Sequence, residues 1–227
     1  MAPFLVVGHL TMKSPGARQK VIDALTKAMH FAQESEPGVT KYCITIPKDD
    51  ADQNTVFAIE EYASKAASDS HMTTSAVQDL ISLLSTNPDI LESPPKVYTL
   101  DQAFGFTRPE TANHENPFIL FATLAFQSGT REKALAAWSN SPPATEAQEP
   151  GVLSYRWYTS AEEPEKLFSV EAYESEDYLW SHHAKAPHVV KAMETVKDIG
   201  TDTVLVALKR VTGYMYKDSG SAIRPSL

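Results

Sequence analysis

Cysteine occurs once in the 227 residues, as Cys43. One thiol closes no internal disulfide and cannot build a thiolate metal site alone, so a disulfide scaffold is excluded and a reduced, cytoplasmic setting is expected. Glycine is scarce as well, with 9 in the chain. None of it forms a phosphate-cradling loop ahead of a helix, no Gly-x-Ser-x-Gly elbow occurs, and no nucleotide cofactor is expected. Positive charge is also short: 20 basic residues stand against 29 acidic ones, a net of −9. Such a surface lacks what phosphate backbones and anionic lipids require, which excludes nucleic acid and membrane as expected partners. The start, Met1-Ala2-Pro3 before a short apolar run, has no basic segment and is too brief for a signal or a membrane span, so a first strand is expected there.

What the chain does have is a segment used twice. Glu36-Pro37-Gly38-Val39-Thr40-Lys41-Tyr42 returns 113 residues later as Glu149-Pro150-Gly151-Val152-Leu153-Ser154-Tyr155. Around it, Phe4 to Leu10 matches Phe118 to Leu124, Val56 to Tyr62 matches Leu167 to Tyr173, Ser70-His71 matches Ser181-His182, and Gly105-Phe106 matches Gly213-Tyr214. Solenoid and propeller repeats have periods of roughly 20 to 50 residues, so a period this long marks a duplicated domain. The expected division is a first repeat over 1–106, a linker over 107–117, a second repeat over 118–217 and a loose tail over 218–227.

Periodicity assigns the elements. Phe4 to Met12 is apolar on both alternating faces, which predicts a strand covered on both sides. Ser14-Pro15 opens a helix with Val21, Leu25, Ala28 and Ala32 on one stripe. Val39 to Ile46 and Asn54 to Tyr62 form a predicted hairpin, a helix follows from Ser64 to Ser85, and Lys96 to Phe106 closes the unit. The second repeat has the same order: a strand at Phe118 to Phe126, a helix at Thr130 to Gln148, a hairpin of Val152 to Thr159 and Leu167 to Tyr173, a helix at Ser175 to Asp198, and a strand at Thr203 to Tyr216. Pro142-Pro143 should break the first of these helices. The fold class is therefore α+β: two tandem ferredoxin-like βαββαβ units packed sheet to sheet, so that each covers the other's open face.

Glu149 to Tyr155, Phe168 to Ser175 and Ser181-His182, with a weaker first copy at Glu36 to Tyr42, Phe57 to Ser64 and Ser70-His71, resemble the antibiotic biosynthesis monooxygenase domain of the dimeric α/β-barrel superfamily. The resemblance covers nearly the whole chain twice and implies a barrel formed within one chain, like a fused dimer. It also implies a cofactor-free oxygenase that takes an aromatic polyketide or phenolic small molecule and molecular oxygen through an enolate. Cyclases, isomerases and lyases of the same superfamily can begin with the same enolate, and a binding protein without chemistry is a third reading. Homodimerisation of the whole chain also stays open.

The residues needed are a base, a donor to the enolate oxygen and a dry pocket. His182 is the candidate base, placed by helical spacing on the stripe with Tyr178, Ala186, Val189 and Met193, with Glu171 as its partner and Tyr155 as a further catalytic candidate; a purely structural His182–Glu171 pair, repeated at His71 and Glu60, is the alternative. Candidate substrate-binding residues are Arg156, Trp157, Trp180 and Tyr173 in the second repeat and His9 in the first. His183 and His188 are expected as surface histidines, and no metal is expected because no two histidines of this cluster have i, i+4 spacing on one helix.

Overall fold

A computed structural model describes residues 3–217; the tail expected over 218–227 lies outside the described residues. The chain divides into two compact units, one of residues 3–99 with 210–217 and one of residues 100–209.

In the first unit, β1 (Phe4–Thr11), β2 (Val39–Pro47) and β3 (Thr55–Tyr62) are joined by α1 (Pro15–Ser35) and followed by α2 (Lys65–Met72) and α3 (Ser75–Thr86). The start of α1 is set by sequence chemistry. Ser14 Oγ accepts the Ala17 N–H at 3.2 Å, and Pro15 sits where its missing N–H costs nothing. The stripe Val21, Leu25, Ala28 and Ala32 is buried as its spacing predicts. The single helix predicted over Ser64 to Ser85 is two, because Thr73 and Thr74 turn their hydroxyls back onto the Ser70 and His71 carbonyls and stop α2.

In the second unit, β5 (Phe118–Phe126), α4 (Arg131–Trp138), α5 (Ser141–Gln148), β6 (Val152–Thr159), β7 (Lys166–Tyr173), α6 (Glu176–Ser181) and α7 (Pro187–Val196) repeat that order. Pro142 and Pro143 do break the first helix, and they fall within the opening turn of α5, where proline is tolerated. The continuous helix predicted from Ser175 to Asp198 is instead α6, a 3₁₀ turn at His183–Lys185, and α7 begun by Pro187. A separate apolar core fills each unit, with Val21, Leu25, Met29 and Ile44 in the first and Leu120, Val152, Leu167 and Val189 in the second.

The last strands, β4 (Lys96–Thr107) and β8 (Gly200–Tyr214), each run from one unit into the other. The hydrogen-bonded order is β1-β3-β2-β8-β5-β7-β6-β4, a closed eight-stranded barrel in a single chain. The first part of β8 pairs with β5, from Gly200 opposite Phe126 to Leu208 opposite Ile119. The last part of β4 pairs with β6, from Asp101 opposite Thr159 to Thr107 opposite Ser154. Gly105 and Gly213, matched in the repeat, have φ of +130° and +97°. A Cβ there would stand 2.2 Å from the Tyr155 carbonyl oxygen and 2.1 Å from that of Tyr42, so only glycine permits these crossings.

Candidate active site

A cavity of about 500 Å³ lies within the second unit, between the sheet and its helices. Strand alternation builds its floor: Leu120, Ala122 and Leu124 of β5, Tyr155 and Trp157 of β6, and Ser169 and Glu171 of β7 all face the helices. Trp138 of α4, Leu179 and Trp180 of α6, and Val189, Met193 and Val196 of α7 form the rest of the wall. The Trp138 and Trp157 rings stack with centroids 4.6 Å apart, a flat apolar surface. Trp180 stands at the mouth, 49% exposed.

Glu171 sits in this apolar floor with both oxygens satisfied. Ser169 Oγ donates to Oε1 at 2.6 Å and the Tyr173 hydroxyl donates to Oε2. Burial, reinforced by the Glu171 charge, pushes both Tyr155 and Tyr173 well above the usual phenol range, so both remain hydroxyl donors rather than bases at neutral pH.

The histidine over this floor is His183, and the expectation for His182 is overturned. Helix α6 ends at Ser181, and His182 caps it with φ −118° and ψ −69°, out of helical register. Its ring lies exposed on the Tyr178 ring, centroids 4.8 Å apart, with Nδ1 2.7 Å from Ser181 Oγ. Glu171 is therefore bonded to Ser169 and Tyr173 rather than to His182. The Ser181-His182 echo of Ser70-His71 is a register one residue short; the structural counterpart of His71 is His183, 3% exposed and against the cavity.

His183 is held by the doubled motif itself. Its Nδ1 is 2.9 Å from Glu149 Oε2, while His188 Nε2 is 2.8 Å from Glu149 Oε1 and 2.9 Å from Thr145 Oγ1. Neither His183 nor His188 is the surface histidine that spacing alone suggested. Burial would raise the Glu149 pKa, but the bonds from His183, Thr145 and His188 outweigh it and hold the carboxyl below its usual range. An ionised Glu149 is acceptor only, so Nδ1 of a neutral His183 carries the proton and Nε2 is left free to accept one. In the first unit His71 Nδ1 meets Glu36 at 2.7 Å in the same way, with Nε2 3.8 Å from Glu60 Oε2. There Ile44 stands where Trp157 lines the floor of the second unit, and Ile44 is wholly buried in the core with Met12 and Met29.

The other expected ligand-binding residues divide. Trp157 and Trp180 line the cavity; Tyr173 lies beneath it as the partner of Glu171. Arg156 does not reach it, since alternation along β6 turns it to the opposite face, where it donates to Thr107 Oγ1 at 2.7 Å and to Gln102. His9 belongs to the first unit, stacked on Phe57 with centroids 4.4 Å apart; burial, then Lys96, holds its pKa below the usual value. Among the described residues, no group of three or more His, Cys, Asp or Glu side chains is arranged to hold a metal ion. No described helix is long and apolar enough to cross a membrane.

The model of the antibiotic biosynthesis monooxygenase family matches residues 3–82 and 117–195, more than half of the chain. Comparison of the sequence with curated proteins gives no match. Among solved structures, a candidate monooxygenase from Lactobacillus acidophilus NCFM is 21% identical with a TM-score of 0.78, covering 94% of this chain and 96% of that one. Another from Fusobacterium nucleatum is 18% identical with a TM-score of 0.80, covering 94% of each. An anthrone oxidase-like protein is 14% identical with a TM-score of 0.67, covering 100% of this chain and 98% of that one. At these identities the likeness is one of fold.

Proposed function

Because the chain belongs to the antibiotic biosynthesis monooxygenase family, we propose that its second unit is an oxygenase site for an aromatic polyketide or related phenolic substrate, working without a cofactor. The observation that carries this reading is His183, its Nδ1 held by Glu149, standing against an apolar cavity of about 500 Å³. A cavity of that size suits a small multi-ring molecule.

The chemistry follows from the side chains. Nε2 of His183 takes a proton from an acidic carbon beside the substrate's carbonyl, and the electron pair of the broken C–H bond is delocalised as an enolate. Glu149 stabilises the imidazolium so formed. A phenolic hydroxyl that burial keeps protonated, Tyr155, is the donor available to the enolate oxygen. The enolate is then the reductant: it passes two electrons to dioxygen, a C–O bond forms, the peroxide takes the proton back from His183 Nε2, and the hydroperoxide loses water to leave a new carbonyl. Overall, one methylene and one dioxygen give one carbonyl and one water.

Anthrones and naphthols incubated with the protein under air and under nitrogen test the proposal. Turnover requires oxygen, and one labelled atom of ¹⁸O₂ enters the product. In a folded His183→Gln variant kcat falls by roughly 10²- to 10⁴-fold. Equal turnover under nitrogen overturns the oxygenase reading in favour of a cyclase, isomerase or lyase working through the same enolate.

A further inference from the structure

We infer that Arg108, in the segment between the repeats, is a positioning residue for the site of the second unit, acting through Glu149; this rests on the reading of His183 as the base. Arg108 follows β4 directly, and its backbone is tied to β6 by its N–H on the Leu153 carbonyl at 2.8 Å. Its guanidinium then gathers the carbonyls at the end of α5. Nη2 donates to Glu146 at 2.6 Å and to Glu149 at 3.4 Å, and Nε donates to Val152 at 2.9 Å. The guanidinium also lies over the Phe106 ring, 5.0 Å from its centroid. Glu149 is the C-cap of that helix, with φ −123° and ψ 82°. The carbonyls on both sides of the bend that aims its carboxylate at His183 are therefore held by one rigid, planar cation. A cation there also complements the negative end of the helix.

The first unit carries the same device from the opposite end of the chain. Lys217, just after β8, donates from Nζ to the carbonyls of Ala32 at 2.9 Å and Glu36 at 3.1 Å, and lies 5.7 Å from the centroid of the Tyr214 ring. Glu36 caps α1 with φ −119° and ψ 86° and reaches His71. In each unit the cation that fixes the glutamate thus follows closely on a last strand, Arg108 after β4 and Lys217 after β8. Two unlike residues, Arg108 and Lys217, share one matched carbonyl, that of Glu149 or Glu36, which makes the position of the glutamate the shared requirement. Only in the second unit does that glutamate serve a histidine facing the large cavity described above.

The test compares Arg108→Met, Arg108→Lys and Lys217→Met in the full chain. It uses urea unfolding, the ¹H resonance of the His183 Nδ1 proton, and kcat and KM for oxygen-dependent turnover against pH. Arg108→Met is expected to move the His183 resonance upfield and to lower kcat about tenfold with KM changed less than twofold. Arg108→Lys recovers part of both. Lys217→Met costs comparable stability but leaves the His183 resonance and kcat as they are. An unmoved His183 resonance in Arg108→Met, or an equal loss of kcat in Lys217→Met, overturns the inference and makes Arg108 a helix clamp only. Wild-type protein with no oxygen-dependent turnover sinks the proposed function instead, and the resonance then decides the role of Arg108 by itself.

Discussion

At the scale of single residues, Glu149 concentrates the site's electrostatics. Two imidazoles and a threonine hydroxyl share its carboxylate, so its loss leaves buried donors without an acceptor. Glu149→Gln is expected to cost roughly 2 to 4 kcal/mol in urea unfolding at neutral pH. The folded carboxyl has a depressed pKa, so its contribution is present in full above the ordinary glutamate range and is lost as pH falls through the folded value. Wild type and Glu149→Gln should therefore differ most at neutral pH and converge as pH falls below the ordinary glutamate range; a difference that stays constant on acidification would refute the assignment. The same residue shows what a sequence conceals. Glu149 was visible as the first letter of a doubled motif and looked like a turn signal, because only the fold brings His183, 34 residues on, to its carboxylate. His183 was passed over because its neighbour fitted the helical stripe, and a helix of six residues ends before such a stripe means anything. The turn of Arg156 away from the cavity was legible, since it follows from alternation beside Trp157.

At the scale of elements, strands such as β1 and β5 were readable because both of their faces are apolar, and the two-proline break between α4 and α5 because proline has few tolerated places in a helix. Glycines at the strand crossings give a sharper prediction. Gly105→Ala forces a Cβ to within 2.2 Å of the Tyr155 carbonyl oxygen at φ +130°, so β4 must part from β6 beside Tyr155. Gly129 also has positive φ, +76°, yet a Cβ there meets nothing within 4 Å. Denaturant midpoints should separate the two: about 1 kcal/mol lost for Gly129→Ala, and roughly 3 kcal/mol or more for Gly105→Ala, with weaker ligand binding only in the latter. Equal losses would mean that backbone conformation, and not the close approach, governs both sites.

At the scale of the whole molecule, the duplication was plain in the sequence, but the exchange of last strands was not, because each strand reads the same whichever neighbour it pairs with. Residues 1–116 expressed alone keep β4 without its β6 partner, and residues 117–227 keep β6 with a bare edge. Each fragment alone is expected to aggregate or self-associate, and mixing them from denaturant should restore one soluble species; two independently stable monomers would contradict the observed pairing. The crossing strands have a consequence for descent as well. Substitutions that reshape the wall of the cavity in the second unit can arise in codons of the first repeat, at Gly105 beside Tyr155, so the two copies do not vary independently. The last strand of the first copy is tied to the shape of a cavity that belongs to its sibling.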